Sequence, residues 1–273
     1  MPPPLVLTLL GLVTAAIGTL GGIGGALILV PVLVLLGVEP QVAAPLGLLT
    51  VAAGSLAAAP GQLSEGIVHH RLGITLELAA SAGAIGGAAV ADSLSAGVLA
   101  RLLAIVAIVA GLAGARRRPL RNPPQAAFAF EVPGEWPGTL GGSYRLGDGV
   151  VPYTATRVPA GLAGMLGAGF IAGIAGVGGG FIKTPVMSDL MRVPVKVAAA
   201  TSTFTVGITS ASALIVVTGQ GRLDFRAGAA VVAGGLAGGL IGSAIQRRLH
   251  PQHVRAAVAA VLIVIGVVLL VRG

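Results

Sequence analysis

Long stretches of this chain carry no charge at all: residues 1–38, 158–182, 197–221, 227–246 and 256–271. A helix needs about 20 apolar residues to cross a hydrocarbon core about 30 Å thick, so these runs are long enough to span. The pattern predicts ten helical segments. Five lie at roughly 4–20, 24–37, 41–60, 73–91 and 97–115, and five at 158–174, 179–191, 195–218, 227–246 and 252–271. The first two of each set are short and separated by a glycine cluster. Each pair reads either as a hairpin that enters the membrane and returns to the same side, or as two short spans.

The two sets are copies of one another. A shift of 154 aligns Gly22-Ile23-Gly24-Gly25 with Gly176-Val177-Gly178-Gly179, and Pro31 with Pro185. From Val38 onward a shift of 155 holds, pairing Thr50-Val51 with Thr205-Val206, Ser55 with Ser210, Arg71 with Arg226, Gly87 with Gly242 and Gly111 with Gly266. A register kept over this length marks an internal repeat. It divides the chain into an N-terminal membrane repeat (1–115), a linker (116–157) and a C-terminal membrane repeat (158–273). The linker alone holds the one Trp and both Tyr. Within it, Tyr144 to Arg157 contains Gly147-Asp148-Gly149, a turn signal between short β-prone runs, and predicts a small hairpin.

Charge adds an orientation. With an odd number of net passes per half, the halves face opposite ways. Twelve of the seventeen basic residues then fall on one side: Arg71, the linker arginines, Arg192, Lys196, Arg247, Arg248 and Arg255. Positive loops face the cytoplasm, which puts the linker there and both termini outside. The expected architecture is an all-α polytopic membrane protein of two inverted-topology repeats, multi-pass in a cytoplasmic-type membrane. The same loops explain a net charge of +8 without nucleic acid. Only 10% of residues are charged, against roughly 25% in a soluble domain. The N-terminus lacks the basic start of a cleavable signal peptide and reads as retained structure. There is no cysteine, so thiolate metal sites and thiol catalysis are excluded.

The candidate chemistry sits at the breaks. Gly22, Gly24 and Gly25 in one half, and Gly178, Gly179 and Gly180 in the other, would each end one helix near the midplane and start another. Irregular backbone at that depth is tolerated only where it is buried or lines a cavity. A helix starting there points N–H groups and the positive end of its dipole into the space. Two such elements entering from opposite faces would form an anion site; the alternative is that the glycines serve only close packing. Thr201, Ser202 and Thr50 could donate to an oxyanion, or bond back to their own helices. Lys183 stands among apolar neighbours, and an ionisable residue in a membrane is a functional candidate by default; alternatively it snorkels to the surface. Glu77 reads as a coupling carboxylate or as one paired near the interface. His69 and His70 read as solvated loop residues.

Gly176-Val177-Gly178-Gly179-Gly180-Phe181-Ile182-Lys183-Thr184-Pro185, followed by Val193-Pro194-Val195-Lys196-Val197-Ala198-Ala199-Ala200-Thr201-Ser202-Thr203, resembles the sulfite exporter (TauE/SafE-like) permeases, also grouped with toluene-sulfonate uptake permeases. Gly22-Ile23-Gly24-Gly25 with Pro31 is similar to their first half. The chain departs at Pro45-Leu46, where that family usually carries Thr-Ser, so any hydroxyl site is asymmetric. The resemblance implies transport of small sulfur oxyanions and sulfonates. The readings left are a secondary transporter working by alternating access or an uncoupled anion channel. No Walker A sequence and no Ser–His or metal-spaced cluster at membrane depth is present, so neither ATP drive by this chain nor an enzyme is expected. The expected partners are a small anion and the lipid bilayer, with no cofactor, metal or nucleic acid. Charge-poor helix faces leave room for a homodimer.

Overall fold

The computed structural model describes residues 1–21, 24–64, 66–116, 133–146, 149–246 and 251–272. In chain order the helices are α1 (Pro4–Gly21), α2 (Ala26–Leu35), α3 (Pro40–Ser64), α4 (His70–Ala91) and α5 (Ala96–Arg116). A small sheet follows, β1 (Gly134–Glu135), β2 (Gly141–Leu146) and β3 (Gly149–Thr154). Then come α6 (Val158–Ala175), α7 (Gly180–Pro185) running into a π-helical turn (Val186–Leu190), α8 (Val195–Gly219), α9 (Phe225–Gln246) and α10 (Pro251–Arg272). Among these, α3, α4, α5, α6, α8 and α9 are long and apolar enough to cross a membrane.

Two elements are too short to do so. At 1.5 Å per residue, the 10 residues of α2 reach about 15 Å, half of a hydrocarbon core. Yet α2 is apolar throughout, with Ala26 to Pro31 and Leu33 all buried. A helix that is hydrophobic on every side belongs inside a structure, and α2 is walled in by α1, α3, α5 and α10. The α7 segment is shorter still, at 6 residues, and is also buried, at Gly180, Phe181, Lys183 and Thr184. The outer surface is the reverse: Leu78, Ile215 and Leu240 are among large apolar side chains pointing outward. A water-soluble protein rarely exposes so much of this surface, whereas a bilayer covers it.

Packing between helices rests on glycine. Without a hydrophobic drive between helices in lipid, close backbone contact has to supply the attraction. A Cβ added at Gly83 of α4 would lie 2.1 Å from the Leu166 carbonyl oxygen of α6. The repeat-related contact recurs with partners exchanged, since Gly238 of α9 would meet the Leu12 oxygen of α1 at 2.2 Å. The α5–α10 contact repeats in the same way. Gly111 faces Ala259 and Ile263, and Gly266 faces Ala104 and Ile108. Gly111 stands late in α5 and Ala259 early in α10, so these two helices run antiparallel.

The linker folds where the turn signal lies, but begins earlier than expected. Strands β2 and β3 pair antiparallel from Gly141↔Thr154 to Leu146↔Gly149; the turn residues Gly147 and Asp148 lie outside the described residues. A third strand, β1, pairs with β2 at Gly134↔Ser143 and Glu135↔Gly142. A Cβ at Gly142 would come 2.6 Å from the Gly134 oxygen, so these glycines serve strand contact and not a turn. Tyr144, Val151 and Ala155 bury themselves against Leu72, Leu76, Met187, Met191 and Val197. The sheet thereby covers the start of α4, the π turn and the start of α8.

Gly83→Ala is expected to lower stability by about 1–3 kcal/mol, since the new methyl overlaps backbone that cannot yield cheaply. At Gly86 a Cβ would meet only Phe170 Cδ2, at 3.8 Å, so Gly86→Ala should be neutral or slightly stabilising through helix propensity. Thermal unfolding of the two variants in the same detergent checks the contrast.

Candidate functional site

The two glycine breaks meet at the centre. In the second, Gly176, Gly178 and Gly179 have φ of +70°, +77° and +72°, a left-handed backbone that side-chain-bearing residues avoid. Three such residues within four positions stop α6 and turn the chain into α7. In the first break Gly24 has φ +84°, and Gly25 presses on α1, where a Cβ would lie 2.6 Å from Ala15 Cα. Gly22 lies outside the described residues. Val51 and Val206, repeat-related positions of α3 and α8, stand between the breaks. A Cβ on Gly178 would touch both, at 2.8 and 3.3 Å, and one on Gly24 would meet Val51 at 3.5 Å.

A cavity of about 20 Å³ lies between these elements, room for about one water. Gly24, Gly25 and Thr50 line it from one half, Gly180, Ser202 and Thr203 from the other, and Gly18, Thr19, Gly54 and Ser55 complete the wall. None of the lining residues is charged. The halves are tied across it, since the Ser55 hydroxyl donates to the Thr203 carbonyl at 2.6 Å. Ser202 leans toward the Gly180 carbonyl at 3.5 Å. Thr50 donates to Leu46 in its own helix at 2.9 Å.

The remaining candidates are elsewhere. Gly178 and Gly179 shape the break without facing the cavity. Thr201 accepts a hydrogen bond from the His69 backbone N–H at 3.0 Å. Lys183 does not snorkel: it is 1% exposed, and its Nζ sits 2.5 Å from Glu77 Oε2. The ammonium also donates to Thr209, whose hydroxyl donates to Glu77 Oε1. Ser81 donates to the same oxygen at 3.2 Å. This cluster of one cation, one carboxylate and two hydroxyls joins α7, α4 and α8. Thr209 lies two turns beyond Ser202 on the same face of α8, a spacing that could have flagged it. Ser55 carried a signal too, in its pairing with Ser210.

The family model described as "Sulfite exporter TauE/SafE" matches residues 7–269. The chain belongs to the sulfite exporter TauE/SafE family. It is similar to the probable membrane transporter protein YunE of Bacillus subtilis (strain 168), with 27% identity over 281 residues, covering 98% of this chain and 97% of that one. No solved structure matches it significantly. As a TauE/SafE family member it is a multi-pass membrane transporter, and the central cavity and the buried ion pair are polar features of its interior.

The linker sheet contacts the same region. His69, expected to be solvated, is fully buried. It is held there because its Nδ1 pairs with the Tyr153 hydroxyl of β3 at 2.9 Å and its N–H with Thr201. His70 is the half-exposed one of the pair. Glu135 of β1 accepts from the His70 N–H at 2.5 Å and the Arg71 N–H at 3.3 Å, satisfying first-turn donors of α4. Burial works against the Glu135 charge, but the His70 and Arg71 donors hold its carboxyl below the usual carboxylate range. Burial pushes the His69 imidazole below its ordinary value of 6.5, with Glu135, 3.8 Å away, opposing this.

Both shifts are depressions, so both favour the docked sheet at higher pH. The His69 contribution is fully present above 6.5 and is lost as pH falls through its docked value; the Glu135 contribution is lost further down, below 4.5. Trp136, the only tryptophan, adjoins Glu135. Its emission should shift to the red as pH falls from about 7 to about 4, and His69→Gln should remove the upper part of that transition.

Proposed function

We propose that this chain is a secondary transporter of small oxyanions, sulfur-containing ones such as sulfite, thiosulfate or organosulfonates, working by alternating access to the central cavity. The observation that carries this reading is the meeting of two glycine-broken hairpins at a cavity lined by hydroxyls and main chain, with no carboxylate among its lining residues. Main-chain N–H groups at helix starts and neutral hydroxyls bind an oxyanion without a fixed charge that would hold it too long.

The cavity's size supports a gated site over an open pore. About 20 Å³ holds one water and not a four-atom oxyanion, so the helices around it must part to admit substrate. The exchanged glycine contacts and the antiparallel α5–α10 pair support two inverted halves, 1–115 and 158–273, rocking or sliding about this point. The charge distribution supports a cytoplasmic linker and external termini. The Ser55–Thr203 bond is then one of the contacts remade as the halves move. Asymmetry at the site follows from Ser202, whose repeat-related position is Gly47 and offers no hydroxyl.

The test is sulfite flux into proteoliposomes of the purified protein. Saturable flux above empty vesicles is expected from wild type. Gly179→Leu should abolish it, since the side chain would need φ +72° and would start 2.9 Å from the Ala168 oxygen. Ser202→Ala should raise KM by about tenfold, the worth of one hydrogen bond to a charged group. Absence of flux for sulfite, thiosulfate and a sulfonate alike would contradict the assignment.

A further inference from the structure

Lys183 and Glu77 are the only Lys, Arg, Asp or Glu side chains buried among the described residues. The fold does not need them. The repeat-related residue of Lys183 is Leu29, of Glu77 Val232, of Thr209 Gly54 and of Ser81 Leu236. The equivalent positions on α2, α3 and α9 are filled without a charge. A buried ion pair is weak evidence of a stabilising role, because an apolar replacement of similar size does as well or better. In a membrane it is instead a candidate for moving charge.

Its position gives the charge something to do. Lys183 stands one turn along α7 from Gly180, and Gly180 and Ser202 both line the cavity. No other cation is buried near that cavity among the described residues. Other groups that could influence Glu77 are few. α6 carries no titratable side chain and α8 only the exposed Lys196 at its start. His70 and Arg71 sit at the exposed start of α4, facing Glu135. From α7 there is Lys183 alone.

We infer that the anion is carried together with a proton held on Glu77, because Glu77 and the anion compete for the single ammonium of Lys183. The inference rests on the oxyanion reading above. Charge balance is the mechanism. Empty, the Lys183–Glu77 pair is neutral. An anion entering beside the intact pair leaves one uncompensated negative charge in a low-dielectric interior, and a proton alone on Glu77 leaves one positive charge; both are costly. When the Glu77 carboxylate takes a proton, its ion pair with Lys183 is released and the ammonium turns to the anion. With a monovalent anion and one proton bound together, the site is neutral again. Only the empty and the doubly loaded states are then free to change sides, which couples the two fluxes. Thr209 bridges the ammonium and the carboxylate and fills the ammonium's hydrogen bond in either state. Ser81, half-buried one turn further along α4, donates to the same Glu77 oxygen as Thr209.

The test uses proteoliposomes with a trapped pH dye, the membrane potential clamped at zero, and sulfite and methanesulfonate run in parallel. The sulfonate matters because it is monovalent and brings no proton of its own near neutrality. For wild type, an inside-alkaline gradient of about one pH unit should drive accumulation of up to about tenfold at one proton per anion, with protein-dependent internal acidification. Glu77→Gln should still exchange labelled anion at equal pH while losing both pH-driven accumulation and the proton signal. The double variant Lys183→Leu/Glu77→Val, which copies the repeat-related residues Leu29 and Val232, should fold with near wild-type thermal stability and show no coupling. Wild-type anion flux with no proton movement would overturn the inference, as would Glu77→Gln that still accumulates anion under a pH gradient. The wild-type proton signal decides even where a variant misfolds. If wild type moves neither anion, the oxyanion reading itself fails and the inference falls with it.

Discussion

A peptide group that leaves a helix inside a bilayer finds no water to replace its lost partner. This constraint decides where the present chain is allowed to break. Both interruptions, at Gly24–Gly25 and Gly176–Gly179, lie at the centre, walled by α3 and α8 and touching the paired valines Val51 and Val206. Outside them, α1 packs on α9 and α4 on α6 through glycines whose added Cβ atoms would overlap backbone oxygens. Close packing of the outer helices keeps the broken backbone away from lipid. The same small residues that permit that packing leave the leucines and isoleucines pointing outward, where the bilayer takes the place of an apolar core.

On this near-symmetric frame the polar chemistry is one-sided. The contacts that hold the helices recur with their partners exchanged, while Ser202, Lys183, Thr209 and Glu77 face Gly47, Leu29, Gly54 and Val232 across the repeat. The positions on α2, α3 and α9 are therefore packed without charge, and their counterparts on α7, α8 and α4 carry the ion pair. The linker sheet reaches that second set as well, since Tyr153 of β3 pairs with His69, whose backbone N–H bonds Thr201, one residue from Ser202. Anything that loosens the sheet acts on the start of α8, the helix that brings Ser202 and Thr203 to the cavity.

Most of the helical layout was legible in the sequence, and the exceptions share a cause. Local composition reveals apolar length, so ten segments were foreseen close to their observed limits. Glycine spacing revealed both breaks, because positive φ and close approach leave few other residues available. The start of α4 lies three residues before the point that the apolar pattern predicts. Its first-turn donors are satisfied by Glu135, 65 positions away, and no neighbouring residue signals this. For the same reason His69 looked solvated although Tyr153 buries it. Lys183 and Glu77 were each noticed singly, but their contact spans 106 positions and exists only because α7 folds back between α4 and α8. Thr201 and Ser202 are adjacent in sequence, yet one faces the start of α4 and the other the cavity, a division set by helix rotation.

On the proposed mechanism the central cavity, walled by both halves, opens in turn to each side of the membrane. Because the chain has no cysteine, Ser202→Cys places a single thiol on the cavity wall. The direct measurement is its reaction with a membrane-impermeant thiol reagent, applied to right-side-out and to inside-out vesicles, with and without sulfite. The account predicts labelling from both faces, slowed by sulfite in each case. Labelling from one face only, at a rate that sulfite leaves unchanged, would contradict it.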